Sequence, residues 1–175
     1  MKLVTLAAML ICFASIGLGQ KAQTTTIKVY FSNDKLNPNI DDCRKVFPVT
    51  RKIPKTTAVA RAALNELFKG TTKEEEVNGY GSIPQAETNG ILKSIRVKNG
   101  AAYVNFNKVV LVQMGTATTS CGGGQYFGMI EKTLTQFRTI RRVYYAVEGN
   151  TNDFYEWVQV GECPYGRHCR KSNFK

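Results

Sequence analysis

After Met1-Lys2 the chain runs from Leu3 to Leu18 without a charge and ends among small residues. That is the layout of a secretory signal peptide, with Gly17 and Gly19 as candidate cleavage-site residues. The run is shorter than the ~20 residues a membrane span requires. Cys12 follows Leu10-Ile11, whereas a lipidated cysteine normally follows small residues. Residues 1–19 are therefore expected to be removed on export, and no later stretch is apolar enough to span a bilayer. Export decides how the cysteines are read. Without Cys12, an even set remains: Cys43, Cys121, Cys163 and Cys169. In an oxidising compartment four cysteines imply two disulfides, with three pairings open. Their separations of 78, 42 and 6 residues are unlike the clustered ligands of a zinc site.

The remaining chain has the material for one domain. The full sequence is 43% hydrophobic and 21% charged over 175 residues, which excludes whole-chain disorder. A polar linker, residues 20–26, precedes Ile27-Lys28-Val29-Tyr30-Phe31, whose alternation predicts a strand. Val46 to Ile53 is a second extended segment, and Pro48 makes it an edge or irregular strand. Thr56 or Thr57 is expected to cap a helix running to Lys69. Ala60, Ala63, Leu64, Leu67 and Phe68 form its apolar stripe and Gly70 ends it.

Ile91–Val97 and Ala101–Phe106 flank Asn99-Gly100, a hairpin signal. A second helix is expected from Cys121 to Phe137, capped by Thr118, Thr119 or Ser120. Arg142–Val147 follows as a strand, Gly149–Asn152 as a turn, and Phe154–Val160 as a last strand. The order β-β-α-β-β-α-β-β predicts an α/β (α+β) fold with two helices packed on a mixed or antiparallel sheet.

Five tracts carry a resemblance. The first is Ala58-Val59-Ala60-Arg61-Ala62-Ala63-Leu64-Asn65-Glu66-Leu67-Phe68-Lys69-Gly70, and Thr71-Thr72-Lys73-Glu74-Glu75 with Gly79-Tyr80-Gly81-Ser82-Ile83-Pro84 follows it. Val97-Lys98-Asn99-Gly100-Ala101-Ala102-Tyr103-Val104-Asn105-Phe106 is the third. Ile130 to Phe137 and Val147-Glu148-Gly149 complete the set. In this order they resemble the GerMN domain of sporulation, spore-germination and other bacterial envelope proteins. The resemblance covers residues 27–161, so a single GerMN-like domain with a basic, cysteine-containing tail, 162–175, is expected. It implies an extracytoplasmic α/β module with no established catalytic residues, usually taken to bind a ligand or partner. The four cysteines and the basic tail depart from the usual pattern.

The search for chemistry agrees with that implication. Any Ser/His or Cys/His mechanism must pass through His168, the one histidine, which lies in a tail expected to be mobile or disulfide-clipped. Asp41-Asp42 and Glu74 to Glu76 sit in turn-rich polar segments, as a solvated face or a helix start would. Gly122-Gly123-Gly124 lacks the Lys-Ser/Thr of a phosphate-binding loop, so close helix packing or a flexible entry beside Cys121 is expected there instead of an anion site. Neither a catalytic residue nor a cofactor or metal is expected. Phe154-Tyr155-Glu156-Trp157, read as strand, offers Tyr155 or Trp157 as a partner-facing residue; burial of Trp157 under the sheet is the competing reading.

Charge is the remaining signal, at a formal +11. Between Asp42 and Glu66 stand Arg44, Lys45, Arg51, Lys52, Lys55 and Arg61 with no acid. Lys132, Arg138, Arg141 and Arg142 fall between Glu131 and Glu148, and four more cations lie in Arg167–Lys175. Such patches attract anionic polymers or surfaces. Arg44, Arg51, Lys52, Arg61, Arg138, Arg141 and Arg142 are the candidate residues for an anion or partner. No arginines interleave with aromatics, which excludes specific nucleic-acid reading. The sequence is read as a secreted or periplasmic, non-catalytic module that binds an envelope protein or an anionic cell-wall or surface component. A structural protein pairing through an exposed strand is the second reading, and a hydrolase with an unrecognised site the third.

Overall fold

The computed structural model describes residues 23–82, 90–114 and 118–175, with only the backbone of Ser120. The leader, 1–19, and Ile83-Pro84 of the second tract lie outside them. Strand β1 (Thr24–Asn33) starts three residues before Ile27, because Thr24-Thr25-Thr26 pair with Pro54, Ile53 and Lys52 of β2 (Phe47–Pro54). On its other side β1 pairs with the short β3 (Tyr80–Gly81), leaving β2 at the edge of an antiparallel sheet ordered β2-β1-β3. Pro48 and Pro54 are tolerated there because an edge strand can forgo ladder donors.

A second sheet is ordered β4-β5-β6, from Leu92–Lys98, Ala101–Phe106 and Arg142–Val147. β4 and β5 form an antiparallel hairpin, while β5 and β6 run parallel. Asn99 and Gly100 both adopt positive φ, 52° and 79°, the conformation a two-residue hairpin turn demands.

Helices α1 (Val59–Phe68) and α4 (Ser120–Thr135) join the two sheets around one core. Ala60, Ala63, Leu64, Leu67 and Phe68 are the buried face of α1. Its cap is Ala58, whose N–H is accepted by the Thr56 hydroxyl at 3.1 Å. Thr119 caps α4 by accepting from the Gly122 N–H at 3.0 Å. The glycines of α4 serve close packing. A Cβ on Gly124 would lie 2.9 Å from the Cys43 Cβ, and one on Gly128 would lie 2.6 Å from the Arg44 carbonyl oxygen. The Cys43–Cys121 disulfide fastens the same contact.

Two short helices were not expected: α2 (Lys73–Val77) and α3 (Val110–Gln113). The acidic run Glu74–Glu76, for which a solvated face and a helix start both stood open, lies in the first turn of α2. Thr72 and Glu75 close a reciprocal capping box at the head of α2. The final expected strand is a correction. Thr151–Trp157 forms helix α5, capped by Asn150, which accepts from the Asn152 N–H at 3.1 Å. Thr151, Phe154, Tyr155 and Val158 recur at i, i+3, i+4 and i+7, a helical stripe; the first three are buried and Val158 packs against the core. Tyr155 is therefore core. Trp157 is half-buried, edge-on to Tyr126 and Phe154 at 6.3 and 5.8 Å between ring centroids, and neither residue belongs to a pairing strand.

A cationic groove under the C-terminal segment

All of β5 is buried, which requires cover on both faces of its sheet. Ala102, Val104 and Phe106 face the main core with Tyr145 and Val147. Ala101, Tyr103, Tyr144 and Ala146 face the other way and meet Phe174 in a second cluster. The cover for this face is the C-terminal segment. It descends through two tight turns, Gly166–Cys169 and Lys171–Asn173, and buries Phe174 edge-on to Tyr103 at 5.4 Å.

The segment is held at every turn. Cys163 and Cys169 are bonded to each other, so the three open pairings resolve to Cys43–Cys121 and Cys163–Cys169. The Thr151 hydroxyl donates to the Cys169 carbonyl at 3.1 Å, and the Asn152 side chain accepts from the Cys163 N–H at 3.2 Å. Ser94 and Asn105 donate to the Phe174 carbonyl, both at 3.3 Å, and Arg96 donates to that of Ser172 at 3.2 Å. Cys169 thus lies over the start of α5, and Ser172 and Phe174 over the β4–β5 hairpin.

His168 is correspondingly fixed, where a mobile tail was one of the expected states. Its ring stacks on Tyr144 at 4.3 Å between centroids, and its Nδ1 shares a 2.8 Å hydrogen bond with the Tyr103 hydroxyl. Burial is the main cause that pushes the Tyr103 phenol above its usual range, with Tyr144 adding to it; Arg167 and Arg96 pull the other way. Tyr103 therefore stays protonated at neutral pH. The Tyr144 stack and the Tyr103 hydrogen bond tie the lone histidine into the packing of the segment.

Between this segment and the β4–β5 turn lies a groove of about 710 Å³. Lys98, Arg141, Arg142, Arg167 and Arg170 line it, all five exposed, and among the described residues no acid does. A second depression of about 500 Å³ adjoins it across the turn, sharing Lys98, Asn99, Gly100 and Arg141 and adding Arg138. The turn and the α4–β6 connection are locked together, since the Arg141 N–H donates to the Gly100 carbonyl at 2.8 Å. The Arg141 guanidinium lies over Gly100, where a Cβ would stand 2.9 Å from its Nη2.

The candidate residues thus separate. Arg141 and Arg142 line the groove, and Arg138 lines the adjoining depression that Arg141 shares. Arg51 makes a two-pronged ion pair with Glu75, with Nη2 to Oε2 at 2.7 Å, and both side chains are mostly buried. Burial pushes the Glu75 carboxyl up, but the hydrogen bond from Arg51, the Thr72 N–H and the guanidinium charge outweigh it and hold it below the carboxylate range. The hydrogen bond to Glu75 raises Arg51 in turn, against desolvation. Arg44 pairs with Glu131 at 2.5 Å, Arg61 donates to the Lys93 carbonyl at 2.9 Å, and Lys52 is exposed on β2, away from the groove. Arg167 and Arg170 were visible only as tail charge. Nothing in the sequence showed which face the tail would cover.

Among the described residues, no helix is long and apolar enough to cross a membrane, and no group of three or more His, Cys, Asp or Glu side chains is placed to hold a metal. The family described as "Germane: Sporulation and spore germination" matches residues 28–153, well over half of the chain. The chain belongs to the GerMN family. The tandem GerMN domains of the sporulation protein GerM from Bacillus subtilis superpose with a TM-score of 0.50 at 20% identity, over 73% of this chain and 40% of that one. The chain thus spans well under half of that structure, and the likeness is one of fold. The first GerMN domain of the same protein gives 0.46 at 19% identity, over 71% of this chain and 84% of that one. No curated relative matches. The expected α/β class and the family resemblance are both borne out. Arg167 and Arg170 lie beyond the GerMN match, so part of the groove's rim comes from outside the family's shared extent.

Proposed function

We propose that this GerMN protein is an exported binding module that takes up an anionic component of the bacterial cell envelope in the groove beneath its C-terminal segment, without chemical turnover. One observation carries the reading: five exposed cations line one concavity, and no acid lines it among the described residues. Some cations elsewhere are paired with carboxylates, as at Arg44–Glu131 and Lys93–Glu148. Uncompensated cations around a recess raise the local concentration of anions. The two disulfides and the apolar leader support an oxidising, extracytoplasmic setting.

The test is retention of the purified protein on isolated bacterial envelopes at low and high salt. Binding is expected at low ionic strength and is expected to fall steeply as salt rises. Arg141→Glu with Arg142→Glu should abolish it, while Lys52→Glu should not. Salt-insensitive retention, or full retention of the double variant, would overturn the reading. Charge reversals that leave retention intact while a concentration-dependent oligomer forms would favour the structural alternative.

A further inference from the structure

We infer that the ligand of this groove is a linear, flexible polymer with repeated anionic groups, which crosses the β4–β5 turn between the C-terminal segment and the Arg138–Arg142 connection. This rests on the proposed function and specifies its ligand. The two depressions meet at Lys98, Asn99, Gly100 and Arg141. Arg138 stands in one, Arg142, Arg167 and Arg170 in the other, and Lys98 and Arg141 belong to both. A single compact anion in either depression would leave cations of the other unmatched. A ligand that satisfies all six must extend across the turn.

The shape of the tract favours a strand over a surface. Its cations line a recess flanked by the C-terminal segment, whereas a flat lipid headgroup layer is met best by cations on a convex face. Nucleic acid is disfavoured for another reason. A single strand gains much of its affinity by stacking bases on exposed aromatic rings. Tyr103 and Tyr144 beneath this groove are only 6% and 5% exposed, and their faces are stacked on each other and on His168. What the groove offers is mainly charge, with the half-buried His168 ring and the Asn99, Ser172 and Asn173 side chains beside it. That set recognises a repeated phosphate or carboxylate rather than a base. Arginine forks suit both anions, so the polymer carries repeated phosphates or repeated carboxylates, and the experiment distinguishes the two.

The experiment measures binding of the purified, oxidised protein to long-chain polyphosphate, tripolyphosphate, alginate, single-stranded DNA and phosphatidylglycerol vesicles. Long polyphosphate or alginate should bind at least tenfold more tightly than tripolyphosphate; whichever binds more strongly identifies the anion. Arg167→Glu/Arg170→Glu and Arg141→Glu/Arg142→Glu should each weaken polymer binding about tenfold or more. Lys28→Glu/Lys52→Glu, with the same change in net charge, should leave it within about threefold. Neutral Arg167→Gln/Arg170→Gln should lower the slope of log affinity against log salt by roughly 1.4–1.8, for two lost contacts. Unchanged melting temperatures will show that the variants fold.

Tighter binding to vesicles or to DNA than to either polymer would overturn the inference, as would equal loss in the Lys28/Lys52 control. If neither polymer binds while envelope retention still requires Arg141 and Arg142, the polymer assignment falls and the proposed function stands. If envelope retention is also indifferent to these arginines, both fall.

Discussion

At the scale of single residues, two kinds of buried polar group behave in opposite ways. The Tyr126 and Tyr145 hydroxyls are buried without a hydrogen-bond partner among the described residues, and burial pushes both phenols well above their usual range. A buried donor without a partner bears its full desolvation penalty. Tyr126→Phe and Tyr145→Phe are therefore expected to be neutral or to stabilise by up to about 1 kcal/mol in chemical denaturation; a loss above that would reveal a partner for the hydroxyl. The Glu75 carboxylate is mostly buried but paired. Because its folded pKa lies below the ordinary 4.5, its contribution is present above that value and is lost as pH falls through the folded pKa. Melting at pH 7 and pH 3 should show this, and Glu75→Gln should flatten the acid limb while costing about 1–3 kcal/mol at pH 7. Neither feature was legible in the sequence. Arg51 was read as a ligand-facing cation, because its partner stands 24 residues away on a helix that was expected as polar loop.

At the scale of elements, legibility followed the strength of the local signal. The stripe of α1, the Asn99-Gly100 turn and the bounds of β6 were all readable, since each depends on residues close in sequence. Helix α5 was misread for a physical reason. Its aromatic residues favour strands by propensity, and a seven-residue window is too short for that preference to lose to a period of 3.6. Asn150 and Asp153 at its head were the overlooked evidence, a cap and a first-turn acid. Asn150→Ala should cost about 1 kcal/mol, and Phe154→Ala about 3–5 kcal/mol. The larger effect follows from Phe154 being fully buried and stacked on Tyr145 and Phe106 at 4.8 and 5.8 Å. Were residues 151–157 a strand with one exposed face, Asn150→Ala would be silent in the same denaturation curves.

Over the whole molecule, the two disulfides divide the work of stability and of assembling the groove. Cys43–Cys121 spans 78 residues and ties the segment before β2 to the head of α4, remote from the cationic tract. Cys163–Cys169 spans 6 residues and clips the segment that presents Arg167 and Arg170. In the loop-entropy account of cross-links, closing the long loop stabilises by about 4.5 kcal/mol and closing the short one by about 2 kcal/mol. Removing each pair as a double serine variant should therefore have unequal and crossed consequences. Loss of the long cross-link should lower the denaturation midpoint more, yet leave polyanion affinity nearly unchanged in whatever fraction stays folded. Loss of the short one should cost less stability but weaken polymer binding, because Arg167 and Arg170 would no longer be pinned above the sheet by Cys169. The Phe174 and His168 contacts should survive in part, so the loss should be smaller than that of Arg167→Glu/Arg170→Glu. Equal binding losses in the two serine variants would mean that the disulfides act only through global stability, and that the C-terminal segment does not need its clip to build the groove.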